Sequence, residues 1–227
     1  MTYPAPCYVP VTGNMPAEAL TAKGRQTRTA IEQAARKLFA ERGFHGTTLA
    51  DITSAAGKSA AVFYRYFADK EDLLAALAEA FLHDVVTPSG LSLHLPDSPD
   101  DDAFFTTVVT GYWNMFKQNI GIMIAVAQLA TTQQRFADVQ NEFRWFGMDI
   151  VAASVRHAQH QGYARELNPE HIAAAIALLF ENFTTVFVGP LGPSAQGRLG
   201  LQISDEDAIA TLSTVWKKTL YGTLGDR

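Results

Sequence analysis

Cysteine is almost absent from this 227-residue chain, which has Cys7 alone. A disulfide framework within the chain is excluded, and so is a cysteine-only metal site. Apolar runs are short, and none approaches the roughly 20 residues that a transmembrane helix needs. The opening MTYPAPCYVPVTGNMP has no basic segment leading into an apolar stretch, so it predicts no secretory signal. A reducing cytoplasm is the expected compartment, with no membrane partner. Segments with the two-residue alternation of a strand are missing, as are internal repeats. The GxSxG, HExxH, P-loop and GxGxxG signatures are missing too. Among the six histidines, His157 and His160 stand three apart, a spacing two metal ligands can use, but no third ligand accompanies them. The chain is therefore expected to be no enzyme and to carry no metal and no cofactor.

What the chain does have is helical periodicity and, at 48% hydrophobic residues, material for a large core. The fold class predicted is all-α, with about nine helices. Residues 1–22 hold four of the ten prolines and read as an N-terminal arm. A helix is expected from Gly24 or Arg25 to Arg42, with Ile31, Ala35, Leu38 and Phe39 inward. Residues 23–70 form a first module, and residues 71–86 a connecting helix carrying Leu73, Leu74, Leu77 and Phe81. An acidic, proline-rich loop follows from Thr87 to about Asp101. The remainder of 87–227 reads as a larger helical domain. Asn168 followed by Pro169 starts one of its helices, and Ser204 with Asp207 starts the last. The connection GPLGPSAQGRLGLQI between these two helices reads as irregular.

The most informative stretch is TTLADITSAAGKSAAVFYRYFADK, Thr47 to Lys70. Thr48 with Asp51 can form a capping box, Leu49, Ile52 and Ala56 give one apolar face, and Gly57 provides a left-handed stop. Ser59 caps a second helix, Ala60 to Tyr66, and Phe63 and Phe67, four apart, can face inward together. Asp69 with Asp72 starts a third helix. Two short helices around a glycine turn are the helix-turn-helix plan, whose second helix enters a DNA major groove. Charge agrees. Residues 23–70 contain nine Lys or Arg and four acids, whereas the whole chain is at −5, so the rest is strongly acidic. A basic module on an acidic body favours local attraction to phosphates.

The run AGKSAAVFYRYFADKEDL resembles the signature of TetR-type (TetR/AcrR) bacterial transcriptional regulators at Ala56, Gly57, Ser59, Phe63, Tyr64, Tyr66, Phe67 and Lys70. FAERGFHGTTLADI upstream resembles the family's join between its first two helices. Lys58 departs from the pattern, since the family has an apolar residue there. The resemblance covers about a quarter of the chain. It implies DNA contacts at Thr48, Lys58, Ser59, Ala60, Tyr64 and Lys70. On their chemistry, Thr47 is a further phosphate donor, Ala61 a residue that permits close approach, Arg65 a reader of a guanine edge, and Arg25 and Arg28 backbone or minor-groove contacts.

The resemblance also implies a small-molecule effector in the C-terminal helices. Phe105, Tyr112, Phe116, Met123, Phe143, Phe146 and Phe180 are the expected lining, which makes the effector apolar; each is also a plain core candidate. Glu181, Asn182 and His157 are polar residues on otherwise apolar helices that can orient a ligand. Stripes at Ile176, Leu179, Phe183 and Phe187, and at Leu212, Trp216 and Leu220, are expected to form a homodimer seam as a four-helix bundle. Two such modules one DNA turn apart read a palindromic double-stranded operator. The expected function is thus a ligand-released repressor. The alternative is a helical carrier or enzyme whose N-terminal module no longer binds specific DNA.

Overall fold

The computed structural model describes residues 20–86, 94–189, 197, 200 and 202–222. The expected arm over residues 1–19, most of the loop after Val86 and most of the irregular connection before Gln202 lie outside them. Nine helices are described and, among the described residues, no strand. The chain divides into two compact units, residues 1–77 and 78–227, with the division falling inside the fourth helix.

In the first unit, α1 spans Ala22–Arg42, α2 spans Leu49–Ala55 and α3 spans Ala60–Phe63; α4, Lys70–Val86, begins here. The end of the expected arm belongs to this unit: Leu20 is buried and Thr21 caps α1, its hydroxyl accepting from Gly24 N. Ile31, Ala35, Leu38 and Phe39 of α1 turn inward together, as their spacing requires. They share the interior with Phe44, Ile52, Phe63, Phe67, Leu73, Leu74 and Leu77. Aromatic pairs lie inside it, with ring centroids 5.3 Å apart for Phe39 and Phe44 and 5.6 Å for Phe63 and Phe67.

In the second unit, α5 is Asp102–Gln118, α6 Ile120–Ala130, α7 Gln134–His160, α8 Pro169–Val188 and α9 Asp205–Tyr221. Helix α7 packs along both α6 and α8, while α9 packs on α5. Trp216 of α9 is the centre of the interior. Its ring meets Phe104, Phe105 and Phe180 edge-on at 5.5, 5.3 and 6.1 Å. Its indole N–H donates to Ser154 Oγ at 3.1 Å, and Ser154 donates on to Val151 O at 2.6 Å. The polar atoms that accompany these side chains into the core are thereby satisfied. At the start of α9, Asp205 accepts from Trp113 Nε1 at 3.1 Å and from Lys117 Nζ at 2.5 Å.

Ile176, Leu212, Trp216 and Leu220 belong to this interior, which corrects their assignment to a dimer seam. Periodicity identified the stripe, but neighbours within the same chain cover it. Leu179 stays exposed and Phe183 and Phe187 are half-buried, and the outward apolar surface also takes in Leu178, Val186 and Val215. Helix α8 qualifies one further expectation. At 20 residues and a mean hydropathy of 1.6 it passes the length and apolarity criteria of a membrane span, although Glu181 lies within it.

Replacing Trp216 with alanine removes the largest buried ring and the partner of Ser154. Chemical denaturation should show a loss of about 3–5 kcal/mol from the second unit. Asp205 supplies a pH signature. Its carboxyl is held below the ordinary range, chiefly by the Lys117 hydrogen bond and also by that from Trp113. A depressed acid stabilises fully above its unfolded value of about 3.9 and loses that contribution as pH falls through the lower, folded value. Asp205→Asn should therefore be less stable than the wild type at neutral pH, and the difference should shrink on acidification.

Candidate functional site

The first unit carries the helix-turn-helix in a form dictated by local chemistry. Thr48 caps α2: its hydroxyl accepts from Asp51 N at 3.1 Å, and Asp51 Oδ2 accepts from Thr48 N at 2.8 Å. The Thr48 hydroxyl also donates to Asp51 Oδ2 at 2.5 Å. These hydrogen bonds to Thr48 hold the Asp51 carboxyl below its ordinary range. Helix α2 ends in paired turns, with Gly57 N donating to Ser54 O and Lys58 N to Thr53 O. Gly57 has φ +62°, a conformation that a Cβ would strain. The residue after such a glycine ordinarily lays an apolar side chain back on the helix end, and here Lys58, half-buried, has only its stem to offer.

Ser59 then caps α3, accepting from Val62 N at 3.3 Å. The second helix is shorter than its pattern predicts. It tightens after Phe63, where Arg65 N and Tyr66 N bond three residues back to Val62 O and Phe63 O. Phe63, Tyr66 and Phe67 are buried, and Ser59, Ala60, Ala61, Tyr64 and Arg65 are exposed. Tyr64 is 56% exposed, with its ring edge-on to Phe63 at 5.7 Å. The exposed face therefore combines two small residues with a phenol and a guanidinium.

Two expected DNA contacts are corrected. Thr47 is fully buried, and its hydroxyl lies 2.8 Å from Gly43 O and 3.3 Å from Leu38 O, inside the join between α1 and α2. Lys70 points inward as well. Its ammonium donates to Phe44 O and Thr47 O, both at 2.7 Å, and stands 4.3 Å from the centroid of the Phe44 ring. Burial lowers its pKa from the ordinary lysine value. Arg28 and Arg25 are also engaged within the unit. Arg28 pairs with Glu32 at 2.8 Å and lies over the Phe67 ring, while Arg25 donates to Leu20 O at 2.6 Å.

The second unit contains an apolar cavity of about 680 Å³. Phe116, Met123 and Phe143 line it, together with Phe81, Ile122 and Val139. Phe105 and Phe180 do not, because they belong to the core around Trp216. Phe146 is half-buried on α7 outside the lining, and Tyr112 packs instead on Phe116 and Phe180 at 5.9 and 5.7 Å. Burial pushes the Tyr112 hydroxyl pKa well up. At the cavity edge Arg144 grips Glu181 with two bonds of 2.7 Å, and Gln140 Nε2 adds a third at 3.1 Å. Glu181 was a sequence candidate; Arg144 and Gln140 were missed. Their spacing of four on a helix with an apolar inner stripe was the available signal. His157 is structural, its Nε2 lying 3.0 Å from Pro96 O, and Asn182 is exposed, donating to Leu178 O. Among the described residues no group of three or more His, Cys, Asp or Glu is placed to hold a metal.

Residues 31–77 match the model of the bacterial regulatory proteins of the tetR family. The helix-turn-helix segment is thus of the tetR-family type. Over 72 residues, the chain is 39% identical to the HTH-type transcriptional repressor AcnR of Corynebacterium glutamicum. That match takes in 30% of the chain and 38% of AcnR, so the chain spans little more than a third of that relative's length. With the HTH-type transcriptional regulator EthR of Mycobacterium tuberculosis it is 22% identical over 93% of the chain and 99% of EthR. The fold is also that of the fatty acid degradation regulator FadR from Bacillus halodurans, with a TM-score of 0.61 and 17% identity. There the likeness covers 91% of this chain and 99% of FadR.

Lys70→Met tests the inward lysine in this tetR-family unit. Methionine keeps the stem but leaves two carbonyls without their charged donor. Amide hydrogen exchange over residues 31–69 should report a loss of about 1–3 kcal/mol, with the second unit unchanged.

Proposed function

We propose that this chain is a homodimeric, sequence-specific DNA-binding repressor that a small apolar molecule releases from its operator. The observation that carries the proposal is the face of α3. Phe63 of α3 and Phe67 just beyond it are buried and hold the segment in place, while Ala60, Ala61 and the following Tyr64 and Arg65 stand exposed in an otherwise basic segment. Small residues allow a close approach to base edges, and a phenol hydroxyl suits a phosphate oxygen. Arg65 supplies the forked donor that a guanine edge accepts. Lys58 lies beside this face at the turn, where its ammonium can reach a phosphate. Repression, rather than activation, follows the sign carried by the AcnR relatives.

Dimerisation is supported by the exposed apolar surface of α8 and α9. Leu178, Leu179 and Val186 are each 41% exposed, aliphatic side chains left open along α8 at points about two turns apart. A second copy of the same helices covers them and sets two recognition helices on one palindrome. The effector site is the cavity bordered by Phe116, Met123 and Phe143. Its volume falls in the range of small-molecule sites. A ligand that binds the operator-free state better lowers DNA affinity by the same factor by which DNA lowers ligand affinity.

Gel-shift with the DNA upstream of the protein's own coding region provides the test. A specific complex is expected at moderate salt. Tyr64→Ala should weaken binding to every sequence alike, because a phosphate contact is blind to sequence. Arg65→Ala should cost about 1–3 kcal/mol on the operator and much less on unrelated DNA. A folded dimer that forms no specific complex overturns the proposal.

A further inference from the structure

The charged residues that line the apolar cavity are Arg144 and Glu181, and they neutralise each other. The pair stands where this cavity meets a second, smaller one of about 490 Å³, since Ala127, Gln140, Arg144, Glu181 and Thr185 line both. The second cavity is bordered by Thr131, Asn141 and Asn182, so polarity changes across the pair. Both side chains are about three-quarters withdrawn from solvent, at 30% and 21% exposure. A guanidinium has five N–H donors, and Glu181 takes two of them. Glu181 Oε1 takes bonds from both Arg144 and Gln140, whereas Oε2 takes one from Arg144 and keeps a free lone pair.

We propose that the Arg144–Glu181 pair is the head-group site of the effector, and that it selects an uncharged head on an apolar body. This rests on the reading of the cavity as the effector site. The apolar body lies among Phe116, Met123 and Phe143. The head, a group that both donates and accepts such as a carboxamide, accepts from Arg144 and donates to Glu181 without parting them. An anionic head must either pull Arg144 from Glu181 or enter with no counter-charge. A cationic head meets the same choice at Glu181. Either route leaves a charge unpaired in a largely apolar enclosure, which is the expensive outcome.

Calorimetric titration of the full-length dimer with decanamide, decanoate and decyltrimethylammonium at pH 8 tests this. Decanamide should bind about tenfold or more tighter than either ion, the margin expected when a charge is left unpaired at a partly solvated site. Glu181→Gln exposes the charge of Arg144, so decanoate should overtake decanamide. Arg144→Gln exposes Glu181, so decyltrimethylammonium should do so instead. Each reversal counts for a variant whose circular dichroism melt shows it folded, and either alone suffices should the other variant fail to fold. Equal affinity for all three heads, or preference for an ion by the wild type, overturns the head-group assignment and leaves the cavity as effector site. Binding of none of them by folded protein removes the effector-site reading itself, and this inference with it.

Discussion

A single ammonium group closes the helix-turn-helix. Lys70 at the start of α4 donates to the carbonyls of Phe44 and Thr47 and covers the Phe44 ring. Those carbonyls belong to the join between α1 and α2, which has no helical ladder of its own. With Lys70 in place, the hydroxyl of Thr47 ties the same join to Gly43 and Leu38. Thr48 is then set to cap α2, whose glycine turn leads into α3. The charged donor is costly to desolvate, and its lowered pKa records that cost. Two hydrogen bonds from a cation and the ring face offset it. What the exposed face of α3 presents therefore depends on a lysine that is not on that face.

The second unit is organised by a comparable economy of polar atoms. Trp216 satisfies its indole N–H through Ser154, so a large ring can be buried among Phe104, Phe105 and Phe180 without an orphaned donor. With that core complete, α8 has apolar side chains left over. Ile176 and Phe180 go inward, Leu178 and Leu179 go outward, and Glu181 faces the cavity with Arg144. One helix thus serves the core, a candidate interface and a candidate ligand site on different sides. This is why its composition is apolar enough to suit a membrane.

The same division explains what could be read from the chain alone. The caps at Thr48, Ser59, Asn168 and Ser204 and the stop at Gly57 were legible, because each depends on residues within four positions. The inward turn of Phe63 and Phe67 was legible for the same reason. The inward turn of the Lys70 ammonium and the burial of Thr47 were not. The first depends on a partner 26 or 23 residues away, and both residue types at the edge of a basic motif also suit a phosphate. Periodicity placed Leu212, Trp216 and Leu220 on one stripe but carries no information on which helix covers it. Aromatics that line a cavity and aromatics that fill a core have identical spacing, so Phe116 and Phe105 were indistinguishable. Arg144 and Gln140 stayed hidden because their partner Glu181 is on another helix.

The account turns on the Lys70 ammonium being held by carbonyls within its own unit, while the exposed face is the one proposed to meet DNA, and the salt dependence of operator binding measures this most directly. Each phosphate neutralised by a lysine adds about 0.9 to the slope of log affinity against log salt on duplex DNA. The wild type should show a steep slope, and Lys70→Met, measured where it remains folded, should run parallel to it. A slope shallower by about 0.9 per protomer would make Lys70 a phosphate contact and contradict the clamp.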